Sequence, residues 1–491
     1  MTGHDLLVLS IPIATSLAAC IVLVVDLLLP AERRHWTGGI AALLMALVFG
    51  LTFVTSDSGS TLSGGIYVAN AATLFIQRLS LAASVFGILG GLAHVSHLTR
   101  LRQGEYYFLL LSSVIGMTLL PGARDLILLL IAFELMGLPL YALAAFEKPE
   151  GPQGATARGR AAEAGLKLYL VGAASTAVTL FGLSIVAGLS GGTSFAAIAA
   201  GPRTPLFVMG GLMILAGLAF KLGAAPFHMW LPDTYEAAPG PFVAFLSGAP
   251  KAAAVTALCG LFLSGLGHRT SEWAPAVAAL AALTIVTGSL LALPQTRLRR
   301  LLAYSGVAHA GYILLALSTG SAEGAAMILF YLVAYVATNT GVFLIAHAMA
   351  ANGDGEDVEG LSGIAQRSPA LGFALMIFLL SLAGIPFVAG FWAKLYVFIA
   401  AWNAGMHWLV AAGALLSVVA LFFYMRLARA AYMAEPRNAE PIRIARPLQV
   451  AIAGCLVAVL VIGVWPSPLL EASSRAAASL FASAPAVALG P

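Results

Sequence analysis

A chain of 491 residues that is 60% hydrophobic and 9% charged lacks the surface of a water-soluble domain, where roughly 25% of residues are charged. Its formal charge of +4 comes with no basic run and no patch of basic residues interleaved with aromatics, so nucleic acid is not an expected partner. The cysteines Cys20, Cys259 and Cys455 stand alone in apolar stretches, which excludes a CxxC ligand set for zinc or an iron–sulfur cluster within this chain. They read as inert core residues.

A hydrocarbon layer about 30 Å thick is crossed by about 20 apolar helical residues. Such stretches recur from residues 6–29 to 449–464, about fourteen in all at that spacing. The chain therefore reads as an all-α polytopic membrane protein with a single membrane domain, 1–491. Within it, 1–100 holds three N-terminal helices, 105–265 and 274–429 form two five-helix blocks, and 446–470 holds the last helix. The first stretch follows no basic segment and precedes no small-residue cleavage site, so it reads as a retained helix. Asp26, followed by Leu-Leu-Leu-Pro, reads as an interfacial acid.

Basic loop residues alternate in density as the positive-inside rule requires. One set of loops carries Arg33, Arg34, Arg100, Arg102, Lys148, Arg158, Arg160, Arg297, Arg299, Arg300, Arg367, Arg426, Arg429, Arg437, Arg443 and Arg446, whereas the other carries Arg78, Arg124, Arg203, Arg269 and Arg475. The dense set is expected in the cytoplasm. An even helix number then places both termini on the outer, periplasmic side.

The chain has only five lysines, and Lys167, Lys221, Lys251 and Lys394 fall inside expected helices. Arginine stays protonated almost everywhere, whereas a lysine ammonium in a low-dielectric site can release its proton near neutrality. Each intramembrane charge costs at least ~2.5 kcal/mol, so accidental placement is a poor explanation for Lys221, Lys251 and Lys394. Lys251 lies near mid-helix, ~14 Å deep at 1.5 Å per residue. Lys167 is close to a helix end with Glu163 at i−4, where an ordinary surface pair would also form.

Beyond Asp125 at its first position, Glu134 is the sole acid in the helix expected over 125–146, at similar depth, and it needs a partner. A neighbouring ammonium would favour the charged forms of both groups, and separating the pair would reverse that. Ejecting one charge against ~100 mV takes ~2.3 kcal/mol, within reach of one semi-buried ion pair made or broken. The bland alternative is a static pair that fixes helix register.

His228, just after Pro226, and His309, in AYSGVAHAGY, could pass protons because imidazole titrates near neutral pH. Lone helical histidines are more often simply hydrogen-bonded, and His347, near a cytoplasmic helix end, reads mainly that way. Two segments are too long and interrupted for single straight spans: 205–236, with Pro226, and 370–402, with Gly384, Pro386 and Gly390. Unwound backbone at membrane depth is tolerated beside protein or a water-filled cavity, so breaks near ionisable residues point to an ion path. Their corresponding placement in the two blocks implies a repeat, inverted by helix parity. Tyr235, Glu236, Pro239 and Pro241 read as a loop that shapes the first break. No GxGxxG after a strand, GxxxxGK[ST], HExxH or Ser-His-Asp arrangement occurs, so no nucleotide or metal is expected in this chain.

At these motifs the sequence resembles the antiporter-like membrane subunits of NADH:quinone oxidoreductase, respiratory complex I, most closely its N-type chains. The resemblance runs over residues 106–429, through AFKLGAAPFHMWLPDTYEAAPGPFVAFLSGAPKAAAVTAL, QTRLRRLLAYSGVAHAGYILLAL and GLSGIAQRSPALGFALMIFLLSLAGIPFVAGFWAKLY. It implies fourteen helices with inverted repeats of helices 4–8 and 9–13, and helices 7 and 12 broken. It also implies a proton relay in which Glu134, Lys221 and Lys394 match the acid of helix 5 and the lysines of helices 7 and 12. Lys251 and His309 match the N-type PKAA and AHAGY positions, and Lys167 the lysine of helix 6.

Partners implied are M-, K-, J-, A- and H-type membrane chains and the lipid bilayer of a bacterial inner membrane, with FMN, iron–sulfur clusters, NAD and quinone handled by other subunits. The sequence departs from the family in having Gly240 where Thr is usual and Phe387 where a second Pro follows GIP. Related readings are an Mrp-type cation/proton antiporter subunit or a membrane hydrogenase or F420H2 dehydrogenase chain. A reading of another class is an intramembrane acyltransferase with His309 as base, which leaves the buried lysines unexplained.

Overall fold

The computed structural model describes residues 3–98, 103–146, 154–438 and 440–482; Arg100, Arg102 and Lys148 lie outside them, as does the side chain of Arg158. In chain order the helices are α1 (Gly3–Val8), α2 (Ser10–Leu28), α3 (Trp36–Leu51), α4 (Ala71–Leu98), α5 (Gln103–Leu119), α6 (Leu126–Ala144) and α7 (Gly154–Ser190). Next come α8 (Phe195–Ala199), α9 (Pro205–Leu222), α10 (Trp230–Ala237), α11 (Gly240–Leu246), α12 (Ala249–Cys259), α13 (Thr270–Ala292), α14 (Leu298–Ser318) and α15 (Ala322–Ala351). The last are α16 (Ile364–Arg367), α17 (Pro369–Ala383), α18 (Ala389–Asn403), α19 (His407–Met433), α20 (Arg446–Val464) and α21 (Ser467–Ala482). A short antiparallel hairpin, β1 (Ser58–Thr61) and β2 (Val68–Asn70), joins α3 to α4.

Among the described residues twelve helical spans are long and apolar enough to cross a membrane, and the shorter Trp36–Leu51 and Pro369–Ala383 are also apolar. The bundle is apolar outside as well as inside. On α19, Leu415, Val418 and Phe422 form an exposed stripe at helical spacing, which is what a helix facing hydrocarbon requires. The innermost elements are the Gly240–Gly265 span, wholly buried, then α14 and α15.

Local chemistry sets where helices start and stop. Asp125 caps α6 by accepting from the Ile127 and Leu128 amides, and Thr204 caps α9 from the Phe207 amide just before Pro205; both satisfy donors that a helix start leaves open. The two segments read as interrupted are indeed each two helices. α9 ends in left-handed Gly223 (φ 74°) and α17 in left-handed Gly384 (φ 84°), a conformation that glycine adopts without a Cβ penalty.

A third interruption was not expected. Pro250 stands at the start of α12, after Gly248 (φ −113°, ψ −77°), and proline removes the bond that would return to the carbonyl four residues earlier. A π-helical turn, Gly260–Gly265, follows α12.

Three expectations need correction. Tyr235 and Glu236 are not in a loop: the chain resumes helical conformation at Trp230 as α10, and the break lies upstream, between Gly223 and Met229. Asp26 is not interfacial but buried, accepting from the Thr37 hydroxyl at 2.7 Å. It is enclosed because Gly104 has no side chain, and a Cβ there would meet the Asp26 carboxyl. Cys20 is exposed on α2 rather than in the core, whereas Cys259 and Cys455 are buried.

Several of the described Arg-dense loops meet on one face. Arg297 pairs with Glu356 at 3.3 Å and Asp357 at 3.4 Å, Arg367 with Asp354, and the Asn352 amide donates to the Arg443 carbonyl at 3.0 Å. The hairpin lies on the opposite face with both described ends of the chain: Asp5 accepts from Ser63, and Ser479 caps the start of α4 at Ala72.

Candidate functional site

The four helical lysines divide into three deep ones and one near the surface. Lys221, Lys251 and Lys394 are each 3–5% exposed, and each lies within a few residues of a helix interruption. Their environments differ.

Lys221 occupies the last turn of α9, where the partial negative charge of a helix C-terminus favours a cation. Its Nζ lies 5.7 Å from the Phe133 ring and 5.1 Å from the Tyr141 ring, and 3.0 Å from where a Cβ of Gly137 would be. Gly137 is one turn from Glu134 on α6. Glu134 itself accepts from the Thr176 hydroxyl at 2.7 Å and makes no ion pair within 4 Å among the described residues. The partner expected for it is thus close by but not in direct contact.

Lys251 stands in the first turn of α12, where the helix dipole disfavours a cation. It compensates by donating to the Tyr335 hydroxyl at 3.3 Å and lying over the rings of Tyr235 at 5.6 Å and Tyr335 at 5.8 Å, the electron-rich faces that attract an ammonium. Gly306 allows this approach, since a Cβ there would lie 3.2 Å from Nζ.

Lys394 is held by the helix before its own. Its Nζ donates to the carbonyls of Leu382 at 2.9 Å and Ala383 at 3.0 Å, which the break at Gly384 leaves open at the end of α17. The Tyr312 ring lies 5.2 Å from Nζ.

His309, on α14, sits between Lys251 and Lys394. The Tyr331 hydroxyl is 2.6 Å from Nδ1 and the Tyr424 hydroxyl 3.3 Å from Nε2, and the Tyr335 and Tyr312 rings lie 5.4 and 6.2 Å from the imidazole. Tyr424 bonds on to Ser305 at 2.5 Å. A small cavity lined by His309, Tyr331, Tyr335, Thr338, Ser381 and Leu382 has room for about one water. Polar and aromatic contacts therefore run from Lys251 through Tyr335, His309 and Tyr312 to Lys394. Among the described residues no hydrogen bond joins Lys221 to Lys251, and Phe220 and Trp230 pack together beside them, 5.4 Å apart.

The other expected residues lie off this line. His228 is half-buried in the break after α9, with the Tyr304 ring 6.2 Å away. Lys167 is 43% exposed and belongs to an ion-pair cluster on the Arg-dense face: it binds Glu163 at 2.7 Å and Asp233 at 2.8 Å. Asp233 also binds Arg300 at 2.7 Å, and Arg300 reaches Glu236 at 3.0 Å. That cluster ties α7 to α10 and α14. Among the described residues no group of three or more His, Cys, Asp or Glu could hold a metal ion.

Sequence reasoning missed the tyrosines. Tyr331, Tyr335 and Tyr424 are ordinary helix aromatics by pattern and Tyr235 read as loop; the one signal was the pair Tyr331 and Tyr335, whose hydroxyls fall within an apolar run, where a hydroxyl needs a partner.

Comparison with known proteins gives the family. Residues 123–420 match the family described as NADH:quinone oxidoreductase/Mrp antiporter, TM. The chain is 37% identical to NADH-quinone oxidoreductase subunit N of Moorella thermoacetica, over 97% of this chain and 99% of that one. It is 35% identical to NADH-quinone oxidoreductase subunit N 2 of Rhizobium meliloti, over 94% and 95%.

Among solved structures, a chain of respiratory complex I from Thermus thermophilus with bound aureothin superposes with a TM-score of 0.80 at 30% identity, covering 95% of this chain and 99% of that chain. A chain of the Mrp complex from a Dietzia species shares the fold at a TM-score of 0.85 and 20% identity, covering 98% of each. The chain belongs to the NADH:quinone oxidoreductase/Mrp antiporter family of membrane subunits.

Proposed function

We propose that this chain is the N-type subunit of a proton-translocating NADH:quinone oxidoreductase and carries protons through Lys251, His309 and Lys394, with Glu134 modulating Lys221. The carrying observation is the contact line from Lys251 through Tyr335, His309 and Tyr312 to Lys394. The Lys251–Tyr335 link is a hydrogen bond, whereas the links on to His309, Tyr312 and Lys394 are ring contacts that water would have to bridge for a proton to pass between these donor–acceptor groups. Lys394 is the exit residue. Lys221 lies where a shift of Glu134 relative to Gly137 would change its electrostatic surroundings.

On this reading the two shorter apolar helices complete fourteen crossings, arranged as two inverted five-helix repeats. The matching left-handed glycine caps at Gly223 and Gly384 support it. The Arg-dense face is the cytoplasmic one of a bacterial inner membrane, both termini are periplasmic, and M-, K-, J-, A- and H-type chains are the neighbours. Quinone reduction through FMN and iron–sulfur clusters in other subunits supplies the energy. His309 is a poor fit to an acyltransferase base, because both ring nitrogens already meet tyrosine hydroxyls and the adjoining cavity has room for about one water.

The test is proton pumping by the assembled complex. Lys221→Ala and Lys394→Ala should each lower pumping and the quinone reduction coupled to it while the complex still assembles. Undiminished pumping in both sinks the relay.

A further inference from the structure

A cavity lies off the relay, on the Arg-dense face. It measures about 260 Å³ and its wall includes His94, Glu236, Gly240, Arg299 and His347. The His94 and His347 rings meet edge to face with centroids 4.9 Å apart, from α4 and α15. Gly240 keeps the space open, because a Cβ there would lie 2.8 Å from His347 Nδ1 and 2.9 Å from Arg299 Nη2. Beyond the histidine pair, the charged groups around the cavity are Arg299 from α14, Glu236 from α10, Arg160 from α7 and Glu356 from the loop after α15.

A residue next to the cavity wall reaches Lys251. Tyr235, next to Glu236 of the cavity wall, packs edge-on against Phe343 at 5.4 Å, one turn below His347 on α15, and its ring is the one 5.6 Å from Lys251 Nζ. The Tyr235 hydroxyl is fully buried and has no hydrogen-bond partner among the described residues. Neither has the Asn339 Oδ1, one further turn along α15, although the Asn339 amide donates to the Tyr335 hydroxyl that Lys251 binds. A buried hydroxyl and a buried amide oxygen without protein partners are places for water. Tyr235 adjoins Glu236 of the cavity wall and Lys251, and Asn339 adjoins the Tyr335 hydroxyl that Lys251 binds, whereas the Lys221 side offers Phe220 and Trp230.

We propose that this cavity is a proton-uptake vestibule serving Lys251: the His94–His347 pair accepts protons from the aqueous face, and water at Tyr235 and Asn339 hands them to Lys251. The inference rests on the relay reading above and adds a mouth to it that bypasses Lys221. The two rings stand together at the cavity wall, where a proton from the aqueous face first meets ring nitrogens able to donate or accept. Each transfer moves one proton from donor to acceptor, and the imidazole is restored by the next proton taken up.

Ala350→Cys places a thiol in the vestibule wall away from every relay residue. In a Cys20→Ser background, the assembled complex in inverted vesicles is treated with a bulky, membrane-impermeant methanethiosulfonate, and modification is confirmed by mass. Modification should cut proton pumping severalfold, with recovery after reduction, while the treated background pumps unchanged. Tyr235→Phe should slow pumping and steepen its dependence on pH at the Arg-dense face. A thiol that the reagent cannot reach, or full modification with undiminished pumping, overturns the vestibule. Lys251→Ala is measured alongside: if it alone is impaired, the mouth is wrong and the relay stands, and if it pumps unchanged the relay reading fails and the vestibule with it.

Discussion

Lys394 caps the helix that precedes its own, donating to the Leu382 carbonyl at 2.9 Å as α17 ends and α18 has yet to begin. This one contact joins a structural duty to a proposed chemical one, because the same ammonium satisfies open carbonyls and terminates the proton line. Two substitutions separate the duties. Lys394→Ala leaves the carbonyls of Leu382 and Ala383 unsatisfied, at about 1–3 kcal/mol for a lost buried partner. Lys394→Gln keeps a donor but cannot carry a proton. Gln should therefore retain more assembled complex than Ala, by blue-native gel, while pumping as poorly. A Gln variant that pumps like the parent assigns Lys394 a capping role alone.

Thr176 and Glu134 form the second pair worth breaking. The hydroxyl of Thr176 on α7 holds the Glu134 carboxylate at 2.7 Å, away from direct contact with Lys221. Removing it with Thr176→Val, a near-isostere, frees Glu134 to approach the ammonium. Because a closer pair favours both charged forms, Thr176→Val should slow proton release and shift the pumping optimum to higher pH, and Glu134→Gln should cancel that shift. The measurement is initial pumping rate against pH in vesicles for the two single variants and the double. A shift that persists in the double variant rules out Glu134 as its cause.

The tyrosines around His309 permit a finer dissection. Tyr331 at 2.6 Å and Tyr424 at 3.3 Å occupy opposite ring nitrogens, and since a hydroxyl can donate or accept, each nitrogen can give or receive a proton according to the tautomer. Tyr331→Phe and Tyr424→Phe each delete one hydroxyl with little change in packing. Each loses a hydrogen bond worth about 0.5–1.5 kcal/mol net, which is small beside the stability of the bundle. Pumping should fall in both with assembly intact, and the solvent deuterium isotope effect should rise as proton transfer becomes the slow step. Unaltered rates in both would restrict His309 to a structural role.

The membrane class, the two long broken segments and the deep lysines were legible because each is a local signal: apolar length, a proline or glycine inside it, a cation where cations are costly. What escaped depends on residues far apart in the chain. Asp26 looked interfacial because Leu-Leu-Leu-Pro ends its helix, yet its burial is decided by Gly104 on another helix. Tyr235 looked like loop because Pro239 and Pro241 follow, but the terminating signal was already spent at Gly223. Lys167 showed Glu163 at i−4, and its second partner, Asp233, lies 66 residues on. The interruption before Lys251 was masked by Ala residues that read as unbroken helix around Pro250.

Lys167 is where sequence and geometry diverge most in their consequences. By position it belongs with the relay lysines, yet it is 43% exposed and shares Asp233 with Arg300. An exposed ion pair contributes about 0–1 kcal/mol and weakens with salt, so Lys167→Ala alone should cost little stability. Asp233 binds two cations from two helices, and its loss should cost more than the loss of either. We therefore expect Asp233→Asn to loosen α10 and impair pumping, Lys167→Ala to impair it less than Lys221→Ala, and the double variant to match Asp233→Asn. A double-mutant cycle read on pumping and on thermal inactivation measures the coupling. Additive effects, or a Lys167→Ala defect as deep as that of Lys221→Ala at high salt, would place Lys167 in the proton line itself, because screening removes the ion pair but not the need for a titrating group.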